Sequence, residues 1–260
     1  MTIAGSDSGG GAGIQADLQT FSAFGVHGAS VLTAVTAQNT RSVTAVLNLP
    51  ASLLRAQFAA VVSDFPIRAA KIGMLGSPAT VRLVAQLVHD SGHFPVVLDP
   101  VLVATTGASL GSNGVASAIR RHLFASAALI TPNVPEAAQL LGSAIKTSND
   151  FSTAARALVD AGAQAVLLKG AHIAGKHVRD LLLVDGHETW FEHPRVAVEG
   201  HGTGCTLSAA IAANLANDVA LTDAVRIAIE YVQRALVASY RPGQGSVSVL
   251  GHRRAAPPLT

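Results

Sequence analysis

The 260-residue chain carries 18 basic and 16 acidic residues, a formal net charge of +2 with no run of lysine or arginine, which argues against a nucleic-acid surface. Hydrophobic residues make up 49% and charged residues 13%, enough for a large core in one domain over residues 1–260, built from small aliphatics because aromatics are only 4%. One cysteine excludes an intramolecular disulfide, no signal-peptide pattern opens the chain, and no apolar run reaches the ~18 residues of a membrane span, so a cytoplasmic protein free of membrane partners is expected.

In chain order, "TIAG" reads as a short strand and "GIQADLQTFSAF" as a helix with Ile14, Leu18, Phe21 and Phe24 on one side. "ASVLTAVTA" and "VTAVLNLP" read as strands, the second stopped by Pro50. "SLLRAQFAAVVSDF" is an amphipathic helix. Strand and helix then alternate: "AAKIGML", "TVRLVAQLVHD", "PVVLDPV", "GVASAIRRHLF" and "ALITPN". "PEAAQLL" and "FSTAARALVDAG" are helical, and "AVLLKG" is a strand. "VRDLLLVDG" and "HETWFEHPRV" form a hairpin turning at Asp185-Gly186, before two helices over 204–217 and 222–239 and a short strand near "SVSVL".

Strands such as "PVVLDP" and "AVLLKG" are continuous apolar runs, as expected of strands covered by helices on both faces. The alternation predicts an α/β fold with a mostly parallel sheet, whose ligands sit beyond the carboxyl ends of the strands. That edge would carry Asp99, Asn133 and Lys169. Two short motifs mislead. "GAHIAGKH" nearly spells a phosphate-binding loop, but His177 replaces the hydroxyl residue and a strand pattern follows. "GASLG" at 107–111 fits a hydrolase elbow, yet no strand runs directly into it.

The informative stretch is "HGTGCTLSAA". Gly202 and Gly204 let backbone N–H groups turn inward at the mouth of a helix, a cradle for an anion, with Thr203 between them. Cys205 follows, and a thiol there is expected to have a lowered pKa. The ordinary alternatives are a structural glycine turn and a small buried cysteine. "GSDSGGGAGIQAD" is a second glycine loop, with Asp17 one helical turn on. In "TAQNT", the Gln38 amide offers a donor beside an acceptor, the complement of an aminopyrimidine edge. In "TPNVPE", Asn133 and Glu136 supply oxygens of the kind Mg²⁺ takes. Each has a plain structural reading alone; together on one sheet edge they point to a site.

"AGSDSGGGAGIQADLQTFSAFG", "TAVTAQNT", "KIGMLG", "VVLDPV", "LITPNVPEA", "LLKG" and "HGTGCTLSAAIAA" occur in this order over about 200 residues. This combination closely resembles the hydroxymethylpyrimidine and phosphomethylpyrimidine kinases of thiamine biosynthesis, within the ribokinase-like superfamily. The resemblance implies a three-layer α/β/α sandwich without a separate lid domain, a homodimer, and two successive phosphorylations with ATP and Mg²⁺. It implies a pyrimidine pocket of Gly5, Asp17, Gln38, Met74 and Val101. Nucleotide and metal would meet Asp99, Asn133, Glu136, Lys169 and Thr203, with residues 202–205 holding the transferred phosphoryl group.

Cys205 stands where sugar kinases of the superfamily place an aspartate base. Transfer through a loose transition state depends mainly on positioning and charge. The second acceptor, a phosphate with a second pKa of about 6, is already ionised. Cys205 is therefore expected to assist the first transfer and matter little in the second. Relatives differ at Ser8, at Ala171 and in the segment "GQGSVSVLGH", and their extra residues before the first strand suggest a start upstream of Met1. The nearest alternative is a pyridoxal kinase of the subgroup sharing GTGC, whose ligand lacks the aminopyrimidine edge. A flap is expected over 103–114.

Overall fold

The computed structural model describes residues 1–91, 94–102 and 112–257. Eleven strands and nine helices are described: β1 (Thr2–Asp7), α1 (Gly13–Ala23), β2 (Ser30–Gln38), β3 (Val43–Asn48), α2 (Ala51–Asp64), β4 (Ala70–Ile72), α3 (Pro78–Ser91), β5 (Val96–Leu98), α4 (Val115–His122), β6 (Leu129–Ile130), α5 (Val134–Leu141), α6 (Phe151–Asp160), β7 (Ala165–Leu168), β8 (His177–Val184), β9 (His187–Pro194), β10 (Gly200–His201), α7 (Thr203–Ala216), α8 (Leu221–Val237), β11 (Ser248–Val249) and α9 (His252–Ala255).

Nine strands form one sheet in the order β3-β2-β1-β4-β5-β6-β7-β8-β9. The six strands from β2 to β7 run parallel, while β3, β8 and β9 are antiparallel additions at the edges. Side chains alternate between two cores, as strand geometry dictates. Val96, Leu98, Ile130, Val166 and Leu168 face the layer of α2–α6. Val97, Leu129, Ala165 and Leu167 face the layer of α1, α7, α8 and α9. This is the three-layer sandwich expected from the apolar strand runs.

α7 lies deepest in the second layer. Every residue from Thr206 to Asn214 is buried, and four of them are alanines at 209, 210, 212 and 213. Those small side chains let the helix lie close against β4 and β5, which fixes where its N-terminus points.

The differences from the sequence reading are local. β1 runs on through Gly5 and Ser6 to Asp7, so half of the first glycine loop is strand. A two-residue parallel pair, β10 with β11, ties "GQGSVSV" to the residues just before α7. The helix α9 was not expected. The near-match to a phosphate loop at 170–177 leads into β8, as the pattern indicated. The "GASLG" motif and most of the 103–114 flap lie outside the described residues. No described helix is long and apolar enough to cross a membrane.

Candidate active site

The carboxyl ends of the parallel strands and the mouth of α7 enclose a cavity of about 510 Å³. Gly5, Gln38, Met74, Val101, Asp99, Asn133, Glu136, Lys169 and residues 202–205 all line it. A second cavity of about 320 Å³ opens behind it, walled by Val178, Leu207, Ile229, Val232 and Leu236. Asn133, Lys169, Thr203 and Gly204 face both. Any group passing between the two must cross that shared wall.

The wall is charged. Lys169 Nζ lies 3.0 Å from Asp99 Oδ1, and both side chains are buried. Burial raises the Asp99 carboxyl, but Lys169 and then Lys71 outweigh it and hold it below the usual range. Burial likewise pulls Lys169 down, and Asp99 and Glu136 overcome it, so Lys169 stays an ammonium. α7 closes the wall from above. A Cβ at Gly204 would stand 3.1 Å from Lys169 Nζ and 3.7 Å from Asp99 Oδ2, so glycine lets the helix mouth lie against this pair without displacing the ammonium. Gly202, the N-cap, has φ +76°, and a Cβ there would overlap the carbonyl oxygen of Gly11. The two glycine loops therefore interlock and set the mouth of α7 beside the Lys169–Asp99 pair.

Two expectations need correction. Asp17 does not line the cavity: it is fully buried beneath it, 2.9 Å from Lys71 Nζ, and accepts a hydrogen bond from Thr2 Oγ1 at 2.6 Å. Cys205 is not an activated thiol. It sits half-buried on the cavity floor, and burial pushes it up to about 11, against the opposing pull of Lys71 and of the Gly13 N–H. Asn133 and Glu136 also serve the fold. Each accepts the other's backbone N–H, at 2.9 and 2.8 Å, in a reciprocal cap of α5.

Magnesium still fits one feature. Asp99 Oδ2 is buried without a hydrogen-bond partner, the orphan oxygen a hard cation would take. Among the described residues no three His, Cys, Asp or Glu side chains converge. An ion here would draw its other ligands from phosphate and water, as Mg²⁺ usually does.

Burial raises Glu136 to about 7, against an ordinary 4.5, despite the counter-pull of Lys169. Between those values the folded protein holds the proton more tightly than the unfolded chain, so stability falls as pH rises through this window. Glu136→Gln, which preserves the cap, is expected to flatten that fall in denaturant titrations from pH 4.5 to 7.

Sequence reasoning missed three residues. Asp7 organises the first glycine loop: its carboxylate accepts the N–H groups of Gly9, Gly11 and Ala12 at 2.8, 3.0 and 2.9 Å. Its signal was an aspartate just before a glycine run, the usual Asx-turn arrangement. Lys71 is fully buried between Asp17 and the cavity; a lysine inside an apolar strand must be paired, and that marked it. His201, beside Asp7 and Gln38, gave no signal because the partners come from distant strands.

The family model described as phosphomethylpyrimidine kinase matches residues 7–250. The chain belongs to that family. It is 48% identical to the hydroxymethylpyrimidine/phosphomethylpyrimidine kinase of Rhizobium meliloti, with 94% of this chain and 93% of the relative aligned, and 45% identical to that of Streptomyces coelicolor, over 94% and 91%. A phosphomethylpyrimidine kinase structure from Clostridium difficile superposes with a TM-score of 0.81 at 38% identity, covering 90% of this chain and 97% of that one. A Staphylococcus aureus pyridoxal kinase bound to pyridoxal superposes with 0.89 at 31%, covering 97% and 92%. The family is one of phosphotransferases with the ribokinase-like fold, the architecture seen here.

Proposed function

We propose that the protein transfers the γ-phosphoryl group of ATP to the hydroxymethyl group of 4-amino-5-hydroxymethyl-2-methylpyrimidine, and then to the resulting monophosphate. One observation carries this reading: a cavity with an amide on one wall meets a second cavity across a wall built from Asn133, Lys169 and the mouth of α7, with Asp99 paired to Lys169 on the first side. The pyrimidine occupies the first cavity, between Met74 and Val101, with Gln38 at its amino edge. ATP occupies the second, its adenosine end among the aliphatic side chains of α7 and α8. Related pyridoxal kinases from Staphylococcus aureus have been solved with AMP-PCP and with ADP, which supports ATP as donor.

In this reading Lys169 and the N–H groups of 202–205 stabilise the negative charge on the moving phosphoryl group. Asp99, with Glu136 nearby, would hold Mg²⁺, which would supply charge neutralisation for the phosphates. Cys205 lies protonated below the acceptor, with Lys71 beneath it as a buried positive charge. Cys205→Ser is expected to slow the first transfer about tenfold and the second less than about threefold in single-turnover assays. Equal slowing would leave Cys205 a role in the anion site alone.

We seat a homodimer on the outer sheet edge. β3 has one unpaired side, and Val46 and Leu47 are exposed there beside Val35 of β2. We place the enzyme in the cytoplasm, acting as one domain on small molecules.

Pyridoxal is the second reading, favoured by the higher TM-scores of the pyridoxal kinase structures. Mass spectrometry of products formed from ATP, Mg²⁺ and each substrate separates the two. A pyrimidine diphosphate carries the proposal; product from pyridoxal alone overturns it.

A further inference from the structure

His201 on β10 reaches two residues from the far side of the cavity. Its Nε2 lies 3.0 Å from Oδ2 of Asp7 and 3.0 Å from the amide nitrogen of Gln38. A ring nitrogen carries either a hydrogen or a lone pair, so it cannot donate to one neighbour and accept from the other. Asp7 decides which. Its carboxylate accepts three backbone N–H groups, and those together with His201 overcome burial to keep it ionised. An ionised carboxylate only accepts, so the contact requires a hydrogen on Nε2 of His201.

That hydrogen would then face the NH₂ of Gln38, donor against donor. The other end of the amide meets the same difficulty. Gln38 Oε1 lies 3.3 Å from Thr36 Oγ1, whose single hydrogen is also claimed by the Ser6 carbonyl at 3.0 Å. With its hydrogen on Ser6, the Thr36 hydroxyl can only accept from Gln38. Oxygen and nitrogen of an amide have the same shape, and the hydrogen-bond network decides between them. Two independent neighbours ask for the exchange.

We propose that His201 is a positioning and specificity-determining residue: donating from Nε2, it turns the Gln38 amide so that the oxygen faces His201 and the NH₂ faces Thr36. Gln38 donates to Thr36 and Thr36 to Ser6, while the single hydrogen on Nε2 of His201, equidistant at 3.0 Å from both partners, is shared in a three-centre bond between the Asp7 carboxylate and the Gln38 oxygen. One lone pair and one N–H of Gln38 remain for a ligand, in a fixed order. Their complement is a ring nitrogen beside an exocyclic amino group. The imidazole lies close against Gly11, where a Cβ would press on its ring.

This inference rests on the aminopyrimidine reading above, and the test keeps the two apart. Steady-state kinetics would compare wild type, His201→Phe and His201→Gln on the aminopyrimidine alcohol and on its analogue lacking the 4-amino group. Phenylalanine keeps a flat ring against Gly11 but donates nothing; glutamine restores an N–H. For the amino substrate, His201→Phe is expected to raise KM about tenfold with kcat little changed. The deamino analogue should be unaffected, and His201→Gln should recover most of the loss. Equal losses on both substrates would make His201 merely structural and overturn the proposal. A wild type indifferent to the amino group would overturn the aminopyrimidine reading instead. Should His201→Phe fail to fold, long-range ¹H–¹⁵N spectra of wild-type protein labelled at histidine decide the matter. A protonated Nε2 supports the assignment, and an unprotonated one sinks it.

Discussion

Lys169→Met is expected to lower kcat by about a thousandfold, with pyrimidine affinity changed by less than about threefold. The ammonium stands on the wall shared by the two cavities, 3.0 Å from Asp99, where the proposed mechanism has charge move during transfer. Its loss removes stabilisation present mainly in the transition state, so the effect falls on kcat. The same change leaves Asp99 buried beside an empty position, and breaking a buried pair costs about 3 kcal/mol or more. Adding Asp99→Asn should therefore restore much of the stability and none of the activity. Denaturant titration beside single-turnover kinetics separates the two effects. Recovery of activity in the double variant would mean that Lys169 serves only to neutralise Asp99.

Gly202→Ala is expected to reduce kcat/KM about a hundredfold for both acceptors. A left-handed conformation costs a residue with a Cβ roughly 1–2 kcal/mol, and the added methyl also overlaps the Gly11 carbonyl. The overlap is relieved only by moving the mouth of α7 away from the first glycine loop. Donors displaced by even 1 Å lose much of their effect on the transition state. Gly142→Ala supplies the control. Gly142 has φ +71° with nothing near its missing Cβ, so that variant carries the backbone strain alone and should retain activity. If Gly202→Ala behaved like Gly142→Ala, the interlock of the loops would not matter to catalysis.

The sandwich was legible because its signals are long. Apolar runs such as "AVLLKG" and the helix pattern of "TVRLVAQLVHD" fix layer and direction, and the carboxyl-end rule then gathers Asp99, Asn133 and Lys169 on one edge. What escaped was either short or three-dimensional. β11 was expected near "SVSVL", but its partner β10 has two residues, too few for any period to show, so the pairing of the two stayed hidden. Asp17 and Lys71 pair across 54 positions, so the sequence displayed an aspartate near a glycine loop but not the lysine that draws it beneath the floor. Cys205 failed for a different reason. A helix mouth favours a thiolate, but the surrounding burial, with Asp99 and Asp17 nearby, favours the neutral thiol more. The competing terms became visible only once the neighbours were known.

The burial of α7 also bears on how such enzymes can diverge. The proposed donors for the moving charge begin the most enclosed helix of the second layer, wedged between α1, α8 and the sheet. Gln38 instead ends β2, and Met74 and Val101 lie in the segments just after β4 and β5, outside the helices of either layer. Selection can therefore rewrite which ring is admitted while the transfer apparatus stays locked in place. A shared scaffold with altered tips is what a family split between pyrimidine and pyridoxal acceptors would inherit.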